Sequence, residues 1–251
     1  MELYQLIIAY DGTEYRGFQR QADSRTIQGE LESALRKVGW QGKTIYAAGR
    51  TDTGVHATGQ VVTFSHDWNH SPTDLLTALN HFLPNDIAVQ SVKTVQDSFH
   101  PRYDALSREY QYAITFSQVR LPQKERFMWR VNEKWDWNAV METAALLQGE
   151  HDFSQFGRPI KPESGTRRNV LVSEWKKVNP VDFLYTIEAD AFLYHMVRRI
   201  VFMLCKVGEG RTTQQEVQRA LAGKANTLPP GIAPPCGLTL TKVRYNDNKK
   251  D

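Results

Sequence analysis

The chain has 251 residues, 24% of them charged and 41% hydrophobic, ordinary proportions that exclude a disordered or fibrous protein. Lys plus Arg outnumber Asp plus Glu by only 31 to 28, and a net +3 by itself identifies no nucleic-acid binder. The apolar run Leu6 to Tyr10 is too short to span a membrane and lacks the flanks of a signal peptide. Cys205 and Cys236 form no CxxC pair, so a cytoplasmic protein without a metal site is expected.

Leu3 to Tyr10 reads as a strand closed by the turn Asp11-Gly12. Thr26 to Val38 carries Ile27, Leu31, Ala34, Leu35 and Val38 at helical spacing, with Ser24 or Thr26 as cap. A short strand at Thr44 to Ala47 and a better one at Gln60 to Ser65 follow. Ser71-Pro72 opens a helix from Thr73 to Phe82, stopped by Pro84, and Asp86 to Val95 is β-branched enough for a strand. Beyond Asp104 come a strand at Arg108 to Phe116, a helix at Trp137 to Leu147 and strands at Asn169 to Val178 and Phe183 to Ala189. Helices at Tyr194 to Val207 and Thr213 to Ala222 and a strand at Leu238 to Tyr245 complete the pattern. Gln155 to Gly165, rich in Gly and Pro, reads as a mobile loop, and Thr227 to Pro235 as a second irregular connection.

The order β-α-β-β-α-β occurs twice. The expected fold is α+β, with two tandem ferredoxin-like halves, residues 1–104 and 105–251, whose antiparallel sheets join around a central cleft. One irregular α+β domain with a coincidental repetition is the alternative.

Against this frame the stretch AAGRTDTGVHATGQVV, Ala47 to Val62, is unusual: Arg50 and Asp52 stand between Gly49 and Gly54, ahead of an apolar run. In an extended chain both side chains project to one side and Thr51 to the other. A guanidinium there favours the ionised carboxylate and fixes its orientation, which suits a nucleophile or general base, while an ordinary loop ion pair would look the same. An aspartic-protease dyad needs a second Asp-Thr-Gly, and none exists; a phosphate loop would open a helix, whereas Gly54 to Gly59 runs into a strand. None of the other six histidines stands at HxH or HxxxH spacing from His56, which argues against a metal there. Paired arginines, Arg16 with Arg20, Arg167 with Arg168 and Arg198 with Arg199, have the distribution expected of phosphate contacts or of scattered surface cations.

Four segments together, YDGTEYRGFQRQ from Tyr10, GRTDTGVHATGQVV from Gly49, SREYQYAI from Ser107 and YHMVRRIV from Tyr194, resemble the TruA family of tRNA pseudouridine synthases. The similarity runs from Tyr4 to about Tyr245. It implies a homodimeric, cofactor-free isomerase converting uridine to pseudouridine in the anticodon arm of tRNA, at tRNA positions 38, 39 and 40. It assigns the catalytic aspartate to Asp52, the tyrosine contacting the target base to Tyr110, and the arginine facing the carboxylate to Arg198. Thr53 departs from the usual Ala, and the loop FGRPIKPESGTRRN matches only loosely, which leaves the RNA contacts of Arg158, Arg167 and Arg168 open.

Isomerisation conserves every atom, so no redox cofactor or activated donor is required. One carboxylate can begin it, as a nucleophile at the sugar or as a base leading to a glycal-like species. The uridine must leave its stack at a cost of about a few kcal/mol. Tyr110, alternating with Tyr112 and Ile114, is placed to stack on the freed base or merely to cover a helix. Met196, Val197, Ile200, Val201 and Leu204 form an apolar stripe that leaves His195, Arg198 and Arg199 on another sector, where Arg198 is placed to reach Asp52 or a phosphate or else to form part of a solvated face. Arg50, Gln19, Arg20, His56, Arg168 and Arg199 complete the candidate substrate and RNA contacts. A non-catalytic RNA-binding protein on paired sheets is the competing class, but it lacks the aromatic RNP signature and gives Asp52 no task.

Overall fold

The computed structural model describes residues 1–132, 135–159, 162–224 and 228–246. It divides into two units, residues 1–106 with 239–251, and residues 107–238, so the last strand, read from the sequence with the second half, is counted with the first.

In the first unit β1 (Glu2–Tyr10) lies between β3 (His56–His66) and β4 (Ile87–Val95), antiparallel to both. Its even positions Tyr4, Leu6, Ile8 and Tyr10 are buried, the period of two that sets a strand's inner face. The far edge of β3 carries the two-residue β2 (Tyr46–Ala47), antiparallel, and β10 (Leu238–Tyr245), parallel with Thr239 beside His56. A Cβ at Gly59 would stand 2.0 Å from the Thr241 carbonyl, so only glycine lets β10 approach there.

Helix α1 (Ile27–Lys37) is capped by Thr26, not Ser24, whose side chain accepts from Gly29 N–H; it buries Ile27, Leu31, Ala34 and Leu35. Helix α2 (Pro72–Phe82) opens on a reciprocal capping box between Ser71 and Asp74 and buries Leu75 and Leu79. Glu32 of α1 is wholly buried; Arg20, Gln28 Nε2 (2.8 Å), Thr44 Oγ1 (3.2 Å) and Ile45 N–H (3.3 Å) surround its carboxylate.

In the second unit the sheet order is β5 (Ala105–Phe116), β9 (Asp182–Ala189), β8 (Arg167–Lys177) and β7 (Gly149–Asp152), each antiparallel to its neighbour. A three-residue strand, β6 (Trp129–Val131), runs parallel to β5. The strands form one mostly antiparallel ten-stranded sheet, not the two wholly antiparallel ones that the repeat implied. Helices α3 (Trp137–Ala145), α4 (Met196–Gly208) and α5 (Gln214–Leu221) complete a mixed α+β architecture of five helices among the described residues. Trp137 stacks on Phe183 with centroids 3.9 Å apart, Phe116 and Trp175 meet Trp137 edge-on, and Trp135 is tilted against it.

The segment Gln155 to Gly165, expected to be mobile, is anchored in its first part. Tyr194 N–H donates to Arg158 O (2.9 Å), Phe156 is buried, and a Cβ at Gly157 would stand 2.7 Å from Tyr194 O. Pro162–Ser164 forms a single 3-10 turn; Ile160 and Lys161 lie outside the described residues, as does Thr227 of the second irregular connection.

Asp182, at the start of β9, accepts from Lys124 Nζ (2.7 Å to Oδ1) and Asn179 Nδ2 (2.7 Å). Burial raises its carboxyl pKa, but Lys124, Thr115 and Asn179 together outweigh burial and hold it below the usual range. A depressed folded pKa stabilises above the unfolded value near 3.9 and is lost as pH falls through the folded one. Asp182→Asn is thus expected to cost about 1–2 kcal/mol at pH 7 by urea denaturation, with the difference from the parent shrinking below about pH 4.

Candidate functional site

Asp52 stands on the loop between β2 and β3, and that loop is fixed through its backbone. Ala48 N–H donates to Val61 O (2.9 Å) and Gln60 Nε2 to Gly49 O (2.9 Å), tying its first residues to β3. Phe18 N–H donates to Thr51 O (3.0 Å), and the hydroxyls of Thr51 and Tyr10 lie 2.8 Å apart in a buried bond. Val55 N–H returns to Asp52 O (3.1 Å), and Gly54 has φ 76°, so the chain turns directly after Asp52. The Asp52 side chain is half-buried.

Residues 11–18 press against this loop so closely that two glycines are required. A Cβ at Gly12 would stand 2.0 Å from the Val55 carbonyl oxygen. At Gly17, with φ 88°, it would stand 2.9 Å from Thr51 O and 3.3 Å from Asp52 C. Gly12 N–H donates to His56 Nδ1 (3.1 Å), which also lies 3.2 Å from Asp11 Oδ1. One ring nitrogen cannot accept from the first and donate to the second. Because the backbone N–H is fixed in direction, Nδ1 acts as the acceptor. The outer side of the 11–25 loop is held by Arg25, which lies over the Tyr15 ring (4.3 Å), reaches Asp86 (3.1 Å) and Glu30 (3.1 Å), and by the Tyr15 hydroxyl bonded to Asp86. Burial raises the Tyr15 pKa, and Asp86 adds to it.

This geometry changes two of the sequence readings. The turn at Thr53-Gly54 begins directly after Asp52, and two residues before Asp52 the Arg50 side chain is exposed. His56, only 3% exposed, supports Gly12 from beneath and has no surface to offer RNA. Arg20 is directed to Glu32, so its charge serves a buried carboxylate, while Gln19 beside it is exposed. The roles of Gly12, Gly17, Tyr10 and Thr51 were not read from the sequence, although the glycines of YDGTEYRGFQRQ were the available signal.

In the second unit Tyr110 pairs with Ile187 across β5 and β9, is half-buried, and meets the edge of Phe192 with centroids 5.1 Å apart. Tyr112 and Ile114, on the same strand face, are fully buried, and the Tyr112 hydroxyl donates to Pro234 O (2.8 Å). Burial pushes the Tyr112 pKa well up, with Cys236 and Cys205 adding to it and Arg198 opposing. Tyr112 thus belongs to the core, and Tyr110 stands where that cover ends.

Arg198, half-buried in the first turn of α4, donates from Nε to Ala233 O (2.8 Å) while Ala233 N–H donates to Arg198 O (3.1 Å). Arg199 grips Gly231 O (2.7 Å) and Gln155 O (3.4 Å), and burial lowers its pKa. Arg168, 9% exposed, is turned inward to the carbonyls of Ser164 (3.4 Å) and Arg167; burial lowers its pKa against the pull of Asp190. All three arginines brace loops of the second unit. His195, which precedes α4, has φ 67°, the one positive φ at a non-glycine among the described residues, and its ring stacks on the exposed Tyr194.

Among the described residues no group of three or more His, Cys, Asp or Glu side chains could hold a metal ion, and no helix is long and apolar enough to cross a membrane. The profile of a tRNA pseudouridine synthase family matches residues 6–104 and 143–246. A tRNA pseudouridine synthase A of Chloroflexus aurantiacus is 39% identical over 98% of this chain and 89% of that one. Counterparts of the same description from a Thermoanaerobacter species and from Bartonella henselae are 37% and 38% identical, each over 98% of this chain and 100% of their own. A solved Cbf5–Nop10–Gar1 complex aligns over 98% of this chain and 50% of that chain, with 11% identity and a TM-score of 0.38, a likeness too weak to carry an argument. The near-complete similarity to these relatives, spanning both units, places the chain in the tRNA pseudouridine synthase family, as an isomerase of tRNA processing.

Proposed function

We propose that the protein isomerises uridine to pseudouridine in the anticodon stem-loop, at tRNA positions 38, 39 and 40, with Asp52 as the catalytic group and no cofactor. The observation that carries this reading is the Asp52 loop itself: a half-buried carboxylate on a backbone locked from one side by β3 and from the other by the Gly12 to Phe18 segment. A carboxylate so fixed loses little freedom on meeting a nucleotide, which is the condition for efficient attack or proton removal.

The reaction breaks the N1–C1′ bond, turns the uracil, forms a C5–C1′ bond, and moves the C5 proton away while N1 gains one. Asp52 acts either at C1′ as a nucleophile or at C2′ as a base, and regains its starting state in both routes. Tyr110 is assigned to the everted base, where stacking offsets about 1–3 kcal/mol of the cost of unstacking. Arg198 is assigned to the carboxylate of Asp52 by the family resemblance. Arg50, exposed two residues before Asp52, and Gln19 suit contacts to the RNA backbone flanking the target.

The same reading takes the halves as tandem ferredoxin-like domains, the first bearing the Asp52 loop and the second Tyr110 and α4, in a cytoplasmic homodimer. Support for the repeat comes from the first unit, where β4, β1, β3 and β2 stand in the 4-1-3-2 order of a split β-α-β motif.

Asp52→Asn is expected to fold and bind tRNA as the parent does while losing at least about 100-fold in pseudouridine formation, followed by tritium release from 5-tritiated uridine in tRNA. Retained turnover would remove Asp52 from the chemistry. Gly17→Ala forces a side chain into left-handed backbone and against Thr51 O. It is expected to cost about 1–2 kcal/mol in chemical denaturation and to lower kcat through the displaced Asp52 loop.

A further inference from the structure

The first unit carries a second aromatic feature that the chemistry at Asp52 does not use. Tyr46 of β2 is 54% exposed and Tyr103 76% exposed, although a tyrosine ring ordinarily gains by burial. Between them stands His100, its ring centroid 5.4 Å from Tyr46 and 4.3 Å from Tyr103. The three rings form a row on the surface.

The row is rigidly mounted. His100 Nδ1 accepts from the backbone N–H groups of Arg102 (3.1 Å) and Tyr103 (3.4 Å), which fixes the ring. His100 N–H donates to Asp104 Oδ2 (2.8 Å) and Asp104 N–H to His100 O (3.0 Å), closing the turn that presents Tyr103. Beneath it, the Tyr245 hydroxyl donates to Pro101 O (2.7 Å) and the Tyr245 ring meets buried Phe99 edge-on at 5.0 Å. Rings fixed in this way lose little entropy when a flat partner settles on them.

Charge favours an anionic partner. The exposed Lys43 stands three residues before Tyr46, and Arg102 and Asp104 belong to the turn that presents Tyr103. Two cations against one anion leave these positions at +1. Tyr46 pairs with Thr63, while the Asp52 loop enters β3 at His56; seven residues at about 3.3 Å separate them by roughly 23 Å along the strand. That is too far for the target uridine and within reach of the rest of a tRNA.

We propose that Tyr46, His100 and Tyr103 form a stacking platform for tRNA nucleotides distant from the target uridine, flanked by cations that meet the backbone. The proposal rests on tRNA being the substrate and names where more of it is held. Exposed aromatic faces beside a basic surface bind bases without reading sequence, which suits an enzyme acting at neighbouring positions in many tRNAs.

The test measures binding of unmodified tRNA to the full chain carrying Asp52→Asn, alone and with Tyr46→Ala, Tyr103→Ala or both. Each alanine is expected to raise Kd by roughly 5- to 150-fold, while Tyr46→Phe and Tyr103→Phe bind like the parent. The slope of log K against log salt should stay unchanged, since no phosphate contact is removed. Unaltered Kd in the double alanine variant would overturn the platform. So would a change of subunit number by sedimentation on Tyr103→Ala, which would assign the row to a second copy of the chain. If the parent binds tRNA but forms no pseudouridine, the functional reading fails while the platform is still decided by these affinities.

Discussion

The contact on which the first unit depends is one between two stretches of backbone, residues 11–18 and 51–55, at a separation that admits no Cβ at Gly12 and only a strained one at Gly17. Apolar packing could hold two loops together but not set them to within fractions of an ångström. Direct backbone contact, with Phe18 N–H on Thr51 O and His56 under Gly12, can do so. The price is conformational: glycine is the residue that loses most freedom on folding. The Arg25, Tyr15, Asp86 cluster holds the outer loop from its far side, so the freedom surrendered at the glycines is not regained as motion of the loop.

The second unit solves a related problem with arginine. Loops that run over a surface leave carbonyls in need of donors, and Arg168, Arg198 and Arg199 supply them to Ser164, Ala233, Gly231 and Gln155. A planar guanidinium with five N–H donors suits this better than lysine, because one side chain can serve two carbonyls at once. Arginine pairs that looked alike in the sequence therefore divide by burial: Arg167 is exposed and paired with Glu150, while Arg168 beside it faces inward, as alternation along β8 requires.

Much of this was legible in the residues. Each long element with clear periodicity stands within a few residues of where its pattern put it, and the β10 range agrees at both ends. Strands of three or four residues, β6 and β7, were not, since so few positions carry no alternation to detect. β3 begins four residues before the expected Gln60 because Ala57 and Gly59 are too small to register as a buried face. Membership of the family was carried by four motifs together. What the motifs concealed was the job of individual letters: His56 and Arg20, read as RNA contacts, lie under Gly12 and against Glu32. Tyr110 and Tyr112 share a strand face, yet Tyr112 is fully buried against Pro234 and Trp129 while Tyr110 is half-buried against Phe192, a distinction that depends on the neighbouring segments and not on the strand's own sequence.

The inward arginines have a consequence for how the molecule meets a polyanion. Formal charge counts every cation alike, but a guanidinium engaged with carbonyls under the surface presents little of its field to the outside and releases no counterion when RNA arrives. With Arg168 and Arg199 so engaged and Arg20 facing a carboxylate, the electrostatic grip on nucleic acid rests on fewer side chains than the tally of basic residues implies. Shape and stacking must then supply a larger share of recognition, and the attraction should survive physiological salt better than that of a protein coated in unengaged lysines.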